Sequence, residues 1–274
     1  MSKGLHRAHN FLGSALPSRR FLMPTAVSAV LCLFSLGGCA QTSRADFSPP
    51  PGGETVSVTV RVPKDLAANT MRVMYRSEKC PISRSDGDGK RYEIDGAHAI
   101  EIQPKRQGQS DLYEARLPRD GGGTCQWKLS NVTFGVHYES TSQFGQEVEF
   151  SGGGEIIAVF DHNMPQQRSM YGFDNVAGDI VIKEEYFPWV SEIFLNGHRK
   201  VVEIFGRQKF LTYRSLSARK VLFEPMLNSN LVVKTIGIKS MGTGEKAENI
   251  YPDGTREFSN SDPNIERLRE MVDK

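Results

Sequence analysis

The sequence lacks motifs that identify several large enzyme families. Its 274 residues include no G-x-S-x-G nucleophile elbow and no H-E-x-x-H zinc motif. Four histidines lie beyond residue 40, and none neighbours another at metal-ligand spacing: His98, His137, His162 and His198. We therefore expect a protein that is not an enzyme, with no catalytic residue, metal or cofactor. The enzyme alternative is a hydrolase whose catalytic residues are dispersed in the sequence and meet only in the fold.

The sequence also lacks an apolar run long enough for a comfortable membrane span, which takes about 20 residues. The candidate, Phe21–Leu36, is interrupted by a proline, a threonine and two serines. Two arginines precede it, and Gly37-Gly38-Cys39 follows it. This order of basic residues, apolar run and small residues is typical of a secretory signal.

Leu36-Gly37-Gly38-Cys39 resembles the lipobox of bacterial lipoproteins, in which the cysteine thiol is acylated. The resemblance implies that residues 1–38 are a signal peptide and that Cys39 is the lipid-bearing first residue of the mature protein. An ordinary signal peptide and an uncleaved anchor are the alternatives. Ser18–Leu22 resembles a twin-arginine signal, which leaves the export route open. Because no aspartate follows the cysteine, we expect a lipid-anchored envelope protein at the outer membrane, facing the periplasm.

The chain lacks the strong positive charge that nucleic-acid binding would need. Its 34 basic and 32 acidic residues give a formal net charge of +2. Four of the basic residues lie in the predicted leader, so the mature chain keeps 30 basic and 32 acidic residues, a formal net charge of −2. We expect no nucleic-acid partner, because such binding uses a clustered positive surface. The expected partners are the membrane, through the N-terminal lipid, and a protein of the envelope.

Cysteine is scarce, with four residues in the chain. Cys32 lies in the predicted leader and Cys39 would carry the lipid, which leaves Cys80 and Cys125. Neither stands in a C-x-x-C motif, and two cysteines cannot complete a zinc site unaided. An oxidising compartment favours a disulfide between them, and two buried free thiols are the alternative.

Helical periodicity is rare in the mature chain, where short alternating segments dominate. Thr55–Val62 and Cys125–Tyr138 alternate apolar and polar residues, as half-buried strands do. The pattern predicts a mainly β chain: an antiparallel β-sandwich, immunoglobulin-like or transthyretin-like, then a second β-rich region and a short C-terminal helix over 263–272. The expected parts are a signal peptide at 1–38, a Pro/Gly tether at 39–53, an N-terminal sandwich domain at 54–161, a linker or long loop at 162–178 and a C-terminal β-rich domain at 179–274.

The densest aromatic cluster, Tyr186, Phe187 and Trp189, is the candidate binding surface, because aromatic residues dominate interface energetics. Packing between two sheets is the alternative for this cluster. Asn196-Gly197 predicts a two-residue hairpin turn.

Two polar stretches contain residue types that bind metals. Asp86-Gly87-Asp88-Gly89 brings two carboxylates together, as calcium loops do, but the other ligand positions are not acidic. We expect a hairpin tip there. His162, Met164 and Met170 are types that suit copper, and we expect a loop there.

These features predict a lipid-anchored, non-catalytic envelope lipoprotein that acts as a periplasmic binding or structural module. An immunity or inhibitor lipoprotein that neutralises a toxin in the periplasm is the second interpretation. A toxin or secretion-system gene beside the reading frame would favour this second interpretation. An envelope-biogenesis operon would favour the first.

Overall fold

The computed structural model describes residues 47–165, 172–242, 244–259 and 262–272. Within these ranges, a pair of sheets packs around one main core, and a short helix lies near the C terminus. The prediction of a mainly β chain with a C-terminal helix is confirmed. The predicted signal peptide and Cys39 lie outside the described residues.

The described residues contain eighteen strands, a 3-10 turn and one α-helix. The first nine strands are β1 (Thr55–Arg61), β2 (Leu66–Ala68), β3 (Met71–Ser85), β4 (Arg91–Ile102), β5 (Lys105–Arg106), β6 (Leu112–Pro118), β7 (Asp120–Gly122), β8 (Trp127–Tyr138) and β9 (Val148–Gly153). The others are β10 (Glu155–Val159), β11 (Asp174–Asn175), β12 (Ile180–Ile193), β13 (Arg199–Phe205), β14 (Phe210–Arg214), β15 (Lys220–Leu227), β16 (Val233–Ile236), β17 (Ala247–Ile250) and β18 (Arg256–Ser259). The turn is Ser142–Phe144, and the helix is α1 (Ile265–Val272).

The sheets are mixed rather than antiparallel. The larger sheet has the order β18-β17-β16-β12-β15-β1-β6-β5, with β13 beside β12 and β9 beside β13. The smaller sheet has the order β11-β14-β10-β8-β3-β4, with β2 and β7 beside β8. Six of the described strand pairs run parallel. The expectation of an antiparallel sandwich is wrong in this respect, and the immunoglobulin-like or transthyretin-like type is not confirmed.

Strands of the two predicted domains share both sheets. β1 lies between β6 and β15 in the larger sheet, and β10 lies between β8 and β14 in the smaller one. β11, which falls in the predicted linker, pairs with β14. The regions 54–161 and 179–274 therefore form one body with a common main core. Parallel pairing of strands far apart in sequence joins them, and local periodicity does not encode that pairing.

The main core lies between the two sheets. Val56, Val58 and Val60 of β1 are fully buried, which explains the alternation that predicted this strand. Phe134 from the smaller sheet meets Phe223 from the larger sheet edge to face, with ring centroids 6.2 Å apart. Each such side chain stabilises the fold by about 1.5–3 kcal/mol on burial.

A second, smaller core lies on the other face of the larger sheet, where α1 packs. Asn264 caps this helix, because its Oδ1 accepts the backbone N–H of Glu266 at 3.0 Å. The buried members of this core come from three strands or turns and from the helix: Phe187, Val233, Tyr251 and Leu268.

The last part of the predicted tether belongs to the body. The Phe47 ring packs against the Tyr75 ring, with centroids 4.7 Å apart. Ser48 donates its backbone N–H to the carbonyl of Gly121 at 2.8 Å. Residues 47 and 48 of the predicted tether at 39–53 therefore pack on the body, because apolar packing of Phe47 outweighs the local Pro/Gly composition.

The hairpin at Asn196-Gly197 is present between β12 and β13, which pair antiparallel. Both residues have positive φ, 60° and 111°. The last ladder pair is Ile193 with Arg199, so five residues connect the strands where two were predicted.

Candidate functional site

The outer half of the β3–β4 hairpin extends beyond the smaller sheet. β3 pairs with β8 only over Arg72–Arg76, whereas its pairing with β4 resumes at Ile82 and continues to Ser85. Within the described chain, this outer part of β3 pairs with β4 alone. We call residues Ile82–Ile94 the arm.

A bulge separates the arm from the body. Ser77 pairs with Gly96, and the next ladder pair is Ile82 with Ile94. Four residues of β3 therefore lie opposite one residue of β4, Asp95. Such a bulge bends the strand and increases its local twist.

Ser77 organises the bulge through three hydrogen bonds. Its side chain is buried, and its Oγ accepts the backbone N–H groups of Lys79 at 3.1 Å and Cys80 at 3.2 Å. The same hydroxyl donates to the carbonyl of Cys125. One serine thus connects the two segments that carry the cysteines.

Cys80 and Cys125 lie at disulfide distance, with their Sγ atoms 1.96 Å and their Cα atoms 5.4 Å apart. Cys80 lies in the bulge, and Cys125 lies just before β8. The bond therefore attaches the base of the arm to the body. Gly96 is required beneath it, because a Cβ at this position would overlap the carbonyl oxygen of Cys80.

One ion pair lies beside the base of the arm. Asp120 of β7 accepts a hydrogen bond from Lys128 Nζ at 2.8 Å and another from the backbone N–H of Gly122 at 2.8 Å. The Lys128 ammonium, with help from this N–H, holds the pKa of Asp120 below its usual value.

A polar pocket of about 340 Å³ also borders the base. In it, Asn163 Nδ2 donates to Asp95 Oδ2 at 3.2 Å and to Asp161 Oδ2 at 3.0 Å. The first residues of the predicted linker are thereby attached to β4.

The arm ends in a hydrogen-bonded turn. Asp86 Oδ1 accepts the backbone N–H of Asp88 at 3.1 Å and that of Lys90 at 2.7 Å, and Gly89 has a φ of +81°. The prediction of a hairpin tip is confirmed. Across 47–165, 172–242, 244–259 and 262–272, no group of three or more His, Cys, Asp or Glu side chains is placed to hold a metal ion.

One face of the arm carries exposed apolar side chains. Ile82 is opposite Ile94, and Arg84 is opposite Tyr92, so these four residues share a face. Ile94 is 37% exposed and Tyr92 is 48% exposed. Adjacent exposed apolar residues mark an interaction site more often than single ones do, so this face is the leading candidate site.

The predicted binding surface at Tyr186, Phe187 and Trp189 is wrong for two of its three residues. Tyr186 is buried in the main core and Phe187 in the second core, because successive side chains of β12 point to opposite faces. Trp189 is half-buried, and its Nε1 donates to Thr235 Oγ1 at 2.6 Å.

Trp189 borders a cleft of about 400 Å³, a volume within the range of ligand sites. Arg207, at the same cleft, donates to Glu184 Oε1 at 3.0 Å and to Tyr213 Oη at 2.9 Å. Its charge is thus already paired within the protein, so the cleft is a weaker candidate for a binding site than the arm.

Histidines of the described ranges have local partners or lie in solvent. His162 is exposed. The others contact neighbouring rings or polar groups: His98 stacks on Phe47 and lies near Trp127, His137 Nδ1 lies 2.7 Å from Asn69 Oδ1, and His198 Nε2 lies 2.7 Å from Glu192 Oε1.

Two further stretches contain residue types that occur in metal or catalytic sites. Met164, a possible copper ligand by type, is 46% exposed, and Met170 lies outside the described residues. Ser217 and Lys220 have the S-x-x-K spacing of some serine enzymes, but both are exposed and lie at the turn into β15 rather than on a helix.

Sequence reasoning missed the arm and the role of Ser77. The arm has only three large apolar residues, Ile82, Tyr92 and Ile94, and they do not alternate regularly along the chain. A signal was present, because Ile82 and Ile94 each lie six residues from Asp88, at the centre of the turn-forming stretch. Symmetric apolar residues around a Gly-rich turn predict a hairpin.

No protein-family model, curated protein or solved structure matches this chain. None of the helices in the described ranges is both long and apolar enough to cross a bilayer. The functional interpretation therefore depends on the geometry of this chain and on its N-terminal sequence.

Proposed function

We propose that this protein is a lipid-anchored, non-catalytic lipoprotein of the bacterial envelope that acts as a periplasmic binding module. The observation that carries the proposal is the short stretch of chain between the lipobox cysteine and the body. Cys39 lies eight residues before Phe47, whose ring packs into the body. Eight extended residues span at most about 28 Å. Acylation of Cys39 would therefore hold the body at the membrane surface.

The disulfide supports an exported location. Such bonds persist in oxidising compartments and are rare in the bacterial cytoplasm. Cys80 and Cys125 are bonded at the base of the arm, where they attach it to β8. A protein whose exposed structure is stabilised by this bond is suited to the periplasm.

The exposed face of the arm supports a binding role. Ile94 and Tyr92 lie side by side on it and are exposed, whereas the described part of the chain buries many large apolar residues in two cores. A function in binding gives a reason for this exposure.

Replacement of the lipobox cysteine tests the anchor. We expect Cys39→Ala to move the protein from the membrane fraction to the soluble fraction and to remove the acyl mass from its N-terminal peptide. Cys32→Ala is the matched control, because Cys32 lies in the part of the leader that would be discarded. Density-gradient separation of inner and outer membranes would test the expected outer-membrane location.

Equal membrane fractionation of Cys39→Ala and the wild type would contradict the proposal. A mature N terminus other than residue 39, read by mass spectrometry, would contradict it as well.

A further inference from the structure

We infer that the arm contacts the lipid surface to which Cys39 is attached and thereby orients the body on the membrane. This inference rests on the proposed lipid anchor. It assigns the apolar face of the arm, Ile82, Tyr92 and Ile94, to the headgroup region of the bilayer.

The arm lies beside the point at which the chain from Cys39 enters the body. Phe47, the first described residue, contacts Tyr75, and Tyr75 lies two residues before Ser77 at the base of the arm. The chain that leads to the lipid therefore joins the body beside the arm.

The tether and the arm have comparable lengths. Six residue steps along the chain separate Gly96 from Lys90 at the tip, which is about 20 Å of extended strand. The tether from Cys39 spans at most about 28 Å. The arm is thus shorter than the reach of the tether, so the tether allows the face that carries Ile82, Tyr92 and Ile94 to lie along the bilayer.

The side chains of the exposed face are of types that suit a membrane surface. Tyrosine is enriched at the boundary between membrane and water, where its ring is buried and its hydroxyl is hydrated. Ile94 and the half-buried Ile82 form the next pair on the same face, nearer the base, and Arg84 lies opposite Tyr92 with a long side chain that can reach the headgroups. This composition suits the interface rather than the centre of a bilayer.

The net charge of the arm determines whether its contact with the membrane depends on anionic lipid. Residues 82–94 contain three basic and three acidic side chains, so they carry no formal net charge. We expect contact through the apolar side chains, with little dependence on anionic lipid, because electrostatic attraction to such lipid needs a basic excess.

The experiment uses the acylated full chain in liposomes that contain a lipid-borne spin quencher. An environment-sensitive fluorophore is attached to a cysteine introduced by Asp88→Cys at the tip or, as a reference, by Gln146→Cys beyond the far end of β8. We expect at least about twofold stronger quenching at position 88, because only labels in the headgroup region, about 5–10 Å deep, meet the quencher. Zwitterionic and anionic liposomes should give similar values.

Substitutions on the two faces of the arm test which face contacts the bilayer. Ile82→Ser, Tyr92→Ser and Ile94→Ser together should lower quenching at position 88 to the level of position 146. Ser83→Ala with Glu93→Ala is the matched control, because these residues pair on the opposite face; it should leave quenching unchanged.

Equal quenching at both positions in acylated protein would overturn the inference. The inference would also be overturned if the fluorophore at position 88 were shielded in native envelope membranes but not in pure lipid. The arm would then contact a protein rather than the bilayer. Failure of the anchor itself is distinguished by mass spectrometry of the same samples, because unacylated protein carries no lipid on Cys39.

Discussion

The β3–β4 hairpin has two halves that share one turn and differ in what stabilises them. In the body half, Met71, Val73 and Tyr75 are fully buried, and β3 pairs with strands on both edges. In the arm half, Ile94 and Tyr92 are exposed, and among the described residues the two strands pair only with each other. The same pair of strands thus belongs to the core in one half and forms a solvent-exposed ribbon in the other.

The difference shows where the arm obtains its stability. A two-stranded ribbon is marginally stable by itself in water, because cross-strand contacts alone barely offset the conformational entropy of the chain. Ser77, Gly96 and the Cys80–Cys125 bond connect its base to the body. We therefore expect changes in the body to lower the global stability, changes at the base to affect both halves, and changes in the arm to affect binding alone.

The largest expected effect comes from opening a cavity in the body half. Met71→Ala should lower the free energy of unfolding by about 2–5 kcal/mol, because Met71 is fully buried in the main core. Ile94→Ala in the arm should change it by less than about 0.5 kcal/mol, because Ile94 is exposed. Urea unfolding of both variants measures the difference, and equal midpoints would show that the two halves are stabilised alike.

Removal of the disulfide is expected to have the next largest effect. Cys80→Ser with Cys125→Ser should cost about 2–4 kcal/mol, because the 45-residue connection gains freedom in the unfolded chain. Limited proteolysis should then cleave the arm first, since its base has lost a covalent attachment. The reduced wild type is the control and should behave like the double variant. An unchanged cleavage rate within 82–94 would contradict the role of the bond at the base.

An added methyl group should lower stability at the base of the arm but not at its tip. Gly96→Ala should cost about 1–3 kcal/mol, because the added Cβ overlaps the Cys80 carbonyl and the backbone must move. Gly87→Ala at the tip is the matched control and should be close to neutral, since its Cβ would meet no atom within 4 Å. Thermal unfolding measures both, and a neutral Gly96→Ala would show that the bulge is adaptable.

The smallest effect is expected from the ion pair beside the base. The folded-state pKa of Asp120 lies below its unfolded value of about 3.9, so its ionised form stabilises the fold above that pH and the contribution is lost as the pH falls through the folded-state pKa. Asp120→Asn should cost less than about 1 kcal/mol at neutral pH, since the pair is solvent-exposed. The difference from the wild type should shrink in acid, as followed by urea unfolding across pH. If this difference in the free energy of unfolding does not change with pH, the effect comes from packing rather than charge. Lys128→Gln removes the other partner of the ion pair and should cause the same pH-dependent loss.

Much of the fold could be predicted from sequence where the signal was local. Strict alternation predicted β1, and Pro263 with apolar residues at helical spacing predicted α1. The pairing of Cys80 with Cys125 was inferred by elimination, since the two other cysteines lie in the predicted leader and in the lipobox-like segment. These predictions needed no knowledge of which distant segments meet.

The errors arose where distant segments meet. Tyr186 and Phe187 are adjacent aromatic residues, and the sequence alone could not show that separate cores cover the two faces of β12. Residues 162–178 are polar and irregular, yet Asn163 is attached to β4 and β11 pairs with β14. The candidate site was missed for the same reason, because the position of the arm beside Phe47 exists only in the folded chain.

The sequence by itself determined that this chain is mainly β, that two cysteines are available for a disulfide and that a lipobox-like segment precedes the body. Each of these follows from periodicity or from residue types at short spacing. Only the tertiary structure decided that the two predicted domains form one body with mixed sheets, and that half of one hairpin remains exposed. The physical reason is that alternation shows which side of a strand is buried, whereas packing against distant strands decides what buries it and where that packing ends.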